Sequence, residues 1–334
     1  TGEKVTVTAT NQQRVNSTSS SIAAFRLKGG SAADTSVTYT HSGAGLQDFQ
    51  ISSGTVTVEG GSGQNAFAKI EETGTNQQKI CRDTFSGCNP VGSLQILGGS
   101  GTGTFAQITA SGSQLVGVNS ATIVKGGTGD GAHALLQAGT GAAQTIFGGG
   151  SLTVEGQGAA GAIAKAEVLS SGSQSIQAGS ILVKAGSSAG SLARIAATGS
   201  QSISGSGLTL TAGGAGQTGE PFVAVPGASA TIEGQSQNID IFGAIVLNGG
   251  AGTSGNTADA ILRNLSGAQD IYSSGTMTLN GGHTQSTTGI LNLGTGSQTI
   301  TANGGLLVRS DPNLPPAHAD SSVLIQNQAA TLQT

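Results

Sequence analysis

Two cysteines, four histidines and a scatter of carboxylates are the residues of this chain whose chemistry could exceed packing. Cys81 and Cys88 flank Arg-Asp-Thr-Phe-Ser-Gly. That interval suits neither a Cys-x-x-Cys redox pair nor a four-ligand zinc site. It suits a disulfide closing a small turn-like loop, which implies an oxidising compartment; two neighbouring free thiols are the alternative. His41, His133, His283 and His318 each sit in or beside a turn, and none has metal-ligand spacing to another His or Cys. The acidic residues Asp48, Glu71, Glu72, Glu167, Glu233, Asp240 and Asp270 are dispersed, and we expect solvated, outward-facing charges. A polysaccharide-cleaving site needs clustered carboxylates, a basic residue and usually aromatic sugar platforms; the sequence shows no such cluster. Gly214-Ala-Gly-Gln-Thr-Gly219 resembles a phosphate loop, but no helix follows it. The pairs Thr6/Thr8, Thr55/Thr57, Thr209/Thr211 and Thr299/Thr301 fall in different phrases, so they do not build the regular threonine face that ice binding needs. The expectation is a protein that is not an enzyme and takes no metal or cofactor.

The residue that recurs regularly is glutamine. Gln, any residue, then an aliphatic or aromatic appears at Gln13, Gln47, Gln78, Gln114, Gln144, Gln174, Gln201, Gln237, Gln269 and Gln298, with a degenerate copy at Ala330-Thr-Leu332. From Val15 to Leu332 the mean period is about 32 residues, a solenoid period. A second phrase follows each glutamine phrase, with apolar pairs such as Val56/Val58, Leu94/Ile96, Leu152/Val154 and Ile181/Val183 ahead of glycines. A third precedes the next glutamine, as in Ala66-Phe-Ala-Lys-Ile70 and Leu192-Ala-Arg-Ile195. Alternation of period two, with Gly, Ser and Asn between, predicts three short strands per repeat.

Three such strands cannot bury a sheet alone; stacked coils can, at ~4.8 Å per coil. The fold predicted is all-β: a parallel β-solenoid of about ten three-strand coils, one domain over 1–334, roughly 50 Å long. Gln and the aliphatic two places on share a strand face. Inward glutamines would stack as an amide ladder; an exposed row at a turn corner is the alternative. The position after the second phrase sets Lys28 against Glu59, and Lys125, Glu155 and Lys184 on successive coils, a ladder of alternating charge that opposes register slips. Residues 31–46 read as irregular, with an extra strand Ser36-Val-Thr-Tyr-Thr40.

Composition agrees. The chain has 57 glycines in 334 residues, 9% charged and 3% aromatic residues, and a formal net charge of −4. No basic patch invites nucleic acid, and no apolar run reaches the ~18 residues of a membrane helix. The chain opens on a strand-like stretch without a signal peptide, which with the cysteine pair points to a mature extracellular or cell-surface protein.

Neither end carries an evident cap, and an open solenoid end is a sheet edge. We expect residues 1–10 to supply a strand for pairing between subunits, and residues 311–334 to form a proline-rich loop and last coil. Val5, Val7, Val323, Ile325 and Leu332 would line a head-to-tail contact between copies of the chain, which does not close and so builds a filament. A monomeric or stalk-like adhesin that binds cell-surface or matrix glycans is the alternative; a polysaccharide-acting enzyme ranks third. Gly150-Ser-Leu-Thr-Val-Glu-Gly156 and its relatives resemble the repeats of secreted β-helical adhesins of the filamentous-haemagglutinin and autotransporter-passenger type. The resemblance implies a secreted, right-handed solenoid with a cell-surface or matrix role, and it transfers no functional residue.

Overall fold

The computed structural model describes residues 2–17, 24–51, 54–84, 87–157, 162–213, 227–251, 257–283, 285–309 and 321–328. Over half of the chain lies in strands, and the described residues contain no helix. The strands stack in parallel into three faces. Face A runs in order from Lys4–Ala9 through Ser36–His41, Phe67–Glu72 and so on to Ser321–Asn327, eleven strands in all. Face B holds the ten glutamine strands, from Gln13–Ser17 to Gln298–Ala302, and face C holds the second phrase, from Ala24–Lys28 to Leu306–Arg309. About nine turns separate the first glutamine strand from the tenth.

Each coil contributes the same inward set. In the fifth, Ala134 and Leu136 come from face A, Ile146 from face B, and Leu152 and Val154 from face C, all buried. Coil after coil these positions superpose (Ala106↔Ala134↔Ala166, Ile108↔Leu136↔Val168), so one continuous apolar column fills the rod. In the first two coils the column is aromatic: Phe25, Tyr39 and Phe49 pack edge to face or tilted at 5.3–5.7 Å.

Two features differ from expectation. Ser36–His41 is not an extra strand. It is the regular face A strand of the second coil, paired residue for residue with Lys4–Ala9 and with Phe67–Glu72. In three coils faces B and C are one continuous strand (Gln114–Lys125, Gln174–Lys184, Ser200–Thr211) rather than two. Glycines at or near those corners, Gly117, Gly179, Gly205 and Gly207, let the backbone bend without breaking the ladder.

Glycine has a further role after face C. A Cβ on Gly127 would lie 1.8 Å from the carbonyl oxygen of Gly99, and one on Gly99 would lie 2.0 Å from that of Gly61. Only glycine permits successive coils to approach this closely at that corner.

Candidate functional site

The ten glutamines form one axial row inside the rod. Each Nε2 donates to Oε1 of the glutamine one coil earlier, from Gln47→Gln13 to Gln298→Gln269, nine bonds of 2.7–2.9 Å. Every member is buried. A second N–H of most amides reaches a face A carbonyl, for example Gln13 to Thr40 at 3.2 Å, Gln78 to Thr109 at 3.2 Å and Gln174 to Val168 at 3.4 Å. That carbonyl can only accept, so it fixes which end of the amide faces it and gives every rung one orientation. The dipoles add head to tail. The ladder is therefore directional. Gln13, at the N-terminal end, has no glutamine rung before it to donate to, and the Oε1 of Gln298, at the other end, is buried without a hydrogen-bond partner.

Outside the rod, charge follows the same register. On face C, Lys28 Nζ lies 2.9 Å from Glu59, and Glu155 sits between Lys125 at 3.0 Å and Lys184 at 3.8 Å. Arg26 also pairs with Glu59. Burial pushes the Glu59 carboxyl upward, but hydrogen bonds and charge from Arg26 and Lys28 outweigh it and hold the group below the ordinary carboxylate range. The row continues as Thr211, Asn248 and Asn280, with Asn280 donating to Asn248 at 2.8 Å. Face A carries a second chain of charge that the sequence reading did not assemble: His133–Glu167–Arg194–Glu233–Arg263. His133, the first cause, holds Glu167 below its usual range; burial opposes this, and the charges of His133, Arg194 and Lys165 reinforce it. Linking these residues from sequence requires the face A register across loops of unequal length.

The disulfide Cys81–Cys88 is present, with a Cα–Cα distance of 5.5 Å. It closes a small antiparallel hairpin, Arg82–Thr84 against Gly87–Asn89, inserted in the third coil and packed against Gln47–Ile51.

Two expectations for charged residues need correction. Glu72 is not a solvated outward charge. It is fully buried, and its Oε2 meets Nδ1 of His41, itself fully buried. The alternation from Ile70 inward implies Glu72 inward two places on, a signal the reading passed over. Asp48 points outward in register yet is buried, against Arg14 at 3.3 Å and Gln50; the inserted hairpin over this strand is invisible to periodicity. His41 ends its strand and His133 lies at the start of its own, each beside a turn as expected. His318 lies outside the described residues.

The residues expected to join subunits lie at the two end coils. Val5 and Val7 are 55% and 48% exposed, although their partners Val37 and Tyr39 face the core. Val323 and Ile325 pack half-buried against the core's far end. Leu332, and residues 311–320 and 329–334 generally, lie outside the described residues. Leu306 and Val308, the last inward pair of the second phrase, are 47% and 50% exposed above buried Met277 and Leu279.

Among the described residues no three His, Cys, Asp or Glu side chains gather to hold a metal, and no helix is long and apolar enough to cross a membrane. A shallow trough of about 410 Å³ runs along coils five to nine beside the glutamine strands, with Ser175, Ser202, Asn238 and Asp270 in its lining. Compared with protein-family models, with curated proteins and with solved structures, the chain has no significant match.

Proposed function

We propose that this chain is the structural subunit of an extracellular filament or matrix fibre, and that copies join head to tail through their end coils. The carrying observation is the complementarity of those coils. Each presents inward-facing aliphatics that are half exposed, Val5 and Val7 at one end, Leu306 and Val308 at the other. Among the described residues, Lys4–Ala9 also forms the outermost strand of a parallel sheet. The glutamine ladder adds direction, because every amide donates toward the N-terminal end of the rod. Donor to acceptor favours head-to-tail over head-to-head joining. A disulfide in an otherwise cysteine-free chain suits secretion, as does the likeness to secreted β-helical adhesins. Catalysis has no part in this reading. The stalk or glycan-binding adhesin is the second reading, and the hydroxyl-lined trough along coils five to nine favours it.

Deletion of residues 1–10 separates the two. The filament reading expects central coils that remain folded, because each is held by its neighbours, and loss of fibres in negative-stain images. Fibres from the truncated chain, or an intact chain that stays monomeric at high concentration, would leave the adhesin reading in its place.

A further inference from the structure

Among the described residues, the interior of the rod holds a pair of ionisable side chains at the end of face A, and neither the ladder nor the filament reading uses it. His41 closes the strand Ser36–His41, Glu72 closes Phe67–Glu72, and the two stand opposite each other in register. Nδ1 of His41 meets Glu72 Oε2, and Nε2 lies 2.7 Å from the carbonyl oxygen of Asn11. The other carboxyl oxygen, Oε1, accepts from the Gly74 N–H at 2.7 Å.

Hydrogen-bond valence fixes how many protons this arrangement holds. A backbone carbonyl only accepts, so Nε2 of His41 carries a proton. A carboxylate also only accepts, so either Nδ1 carries a second proton or Glu72 is protonated and donates to Nδ1. In both cases the pair holds one proton more than a neutral imidazole beside a carboxylate. If hydroxide removes that proton as water, two acceptor lone pairs face each other where no solvent enters.

We infer that His41 and Glu72 form a proton-operated latch on the N-terminal coil, closed while the pair holds its extra proton and released when that proton is lost. What it latches is the turn after Lys4–Ala9. Asn11 belongs to that turn, and the second coil lies hard against it: a Cβ on Gly45 would fall 1.7 Å from the Asn11 carbonyl oxygen. The bond from His41 therefore ties the first coil's turn to the second and, through Glu72, to the third. Among the described residues no further charge is positioned to substitute for the proton. Along the row the neighbours are Ala9 and Ala110. From face B the facing group is the Gln47 amide, which donates to Glu71 O. From the following turn they are Gly74 and Thr73, whose hydroxyl donates to His41 O. Lys69 and Glu71 are on the outer side and pair with each other, as do Arg14 and Asp48.

The inference is independent of the filament reading and is tested on the single chain by amide hydrogen exchange. Protection of residues 4–17, after correction for intrinsic exchange and relative to residues 132–211, is compared at about pH 6 and about pH 9. The expected result is a loss of at least about tenfold in that ratio at the higher pH. Glu72→Gln is the sharp control. Its amide can donate to Nδ1 of a neutral His41 and still accept from Gly74, so every bond is kept with no extra proton. The variant is expected to be protected equally at both pH values. A flat wild-type ratio, a Glu72→Gln chain that keeps the pH dependence, or one whose first coil is unprotected at both values overturns the latch.

Discussion

Gln174→Leu interrupts the glutamine ladder at its middle, and the structure gives a magnitude for the cost. The substitution removes a donor to Gln144 Oε1 at 2.7 Å, an acceptor for Gln201 Nε2 at 2.8 Å and a weaker bond to Val168 O at 3.4 Å. Two buried groups, one acceptor and one donor, lose partners no water can replace, at about 1–3 kcal/mol each. The new leucine offsets part of this, because it places roughly 1.5–3 kcal/mol worth of apolar side chain in the column. The net expectation is a loss of about 2 kcal/mol, and at most about 4. At the ladder's end the sum changes. Gln298→Leu orphans Gln269 Oε1, drops a weak bond to Ile290 O at 3.5 Å and deletes an acceptor that already lacks a partner, so it should be near neutral. Urea unfolding of the two variants, followed by circular dichroism, measures the difference. Equal costs for the middle and end substitutions, or a Gln174→Leu chain as stable as the parent, would refute the argument that paired amides hold the coils in register.

Further outcomes follow from other parts of the rod. Gly127→Ala puts a methyl 1.8 Å from the Gly99 carbonyl and should destabilise by more than about 2 kcal/mol in the same urea assay, since backbone must move to admit it. Replacing Cys81 and Cys88 with serine should cost about 2 kcal/mol, the chain-entropy value for so short a loop, and hydrogen exchange should place the loss in the third coil rather than along the rod. Glu167 is held below its ordinary carboxylate range by His133 first, with Arg194 and Lys165 also contributing. Its folded-state pKa lies below the unfolded one, so its contribution is present above about pH 4.5 and is lost as pH falls through the lowered value. Glu167→Gln should therefore flatten part of the acid limb of the stability–pH curve measured by urea titration, while an unchanged acid limb would count against the face A charge chain.

Much of this architecture is readable from sequence because two periods coincide. The step of two along each strand separates inward from outward residues, and the step of about 32 brings equivalent residues together. The glutamine row and the Lys28/Glu59 and Lys125/Glu155/Lys184 row satisfy both, so their register follows directly. The His41–Glu72 pair satisfies both as well, but its two residues differ in type and their phrases look unalike, Ser-Val-Thr-Tyr-Thr-His against Phe-Ala-Lys-Ile-Glu-Glu. Only pairing the strand ends brings them together. The face A chain from His133 to Arg263 crosses loops of unequal length, so counting residues does not align it. The strand that holds Asp48 packs against a hairpin inserted between strands of the third coil, which no repeat encodes. The continuous strands around the corners at Gly117, Gly179 and Gly205 show the converse: glycine reads as a break in sequence, yet here it keeps the strand whole by bending it.

The most direct test of the structural-subunit reading is cryo-electron microscopy of the purified intact chain at high concentration. Head-to-tail stacking predicts unbranched filaments with a ~4.8 Å repeat along the fibre axis that runs unbroken through subunit junctions, with residues 1–10 of one copy against the C-terminal coil of the next. Dispersed single rods, or assemblies whose strands do not continue across the junction, would contradict it.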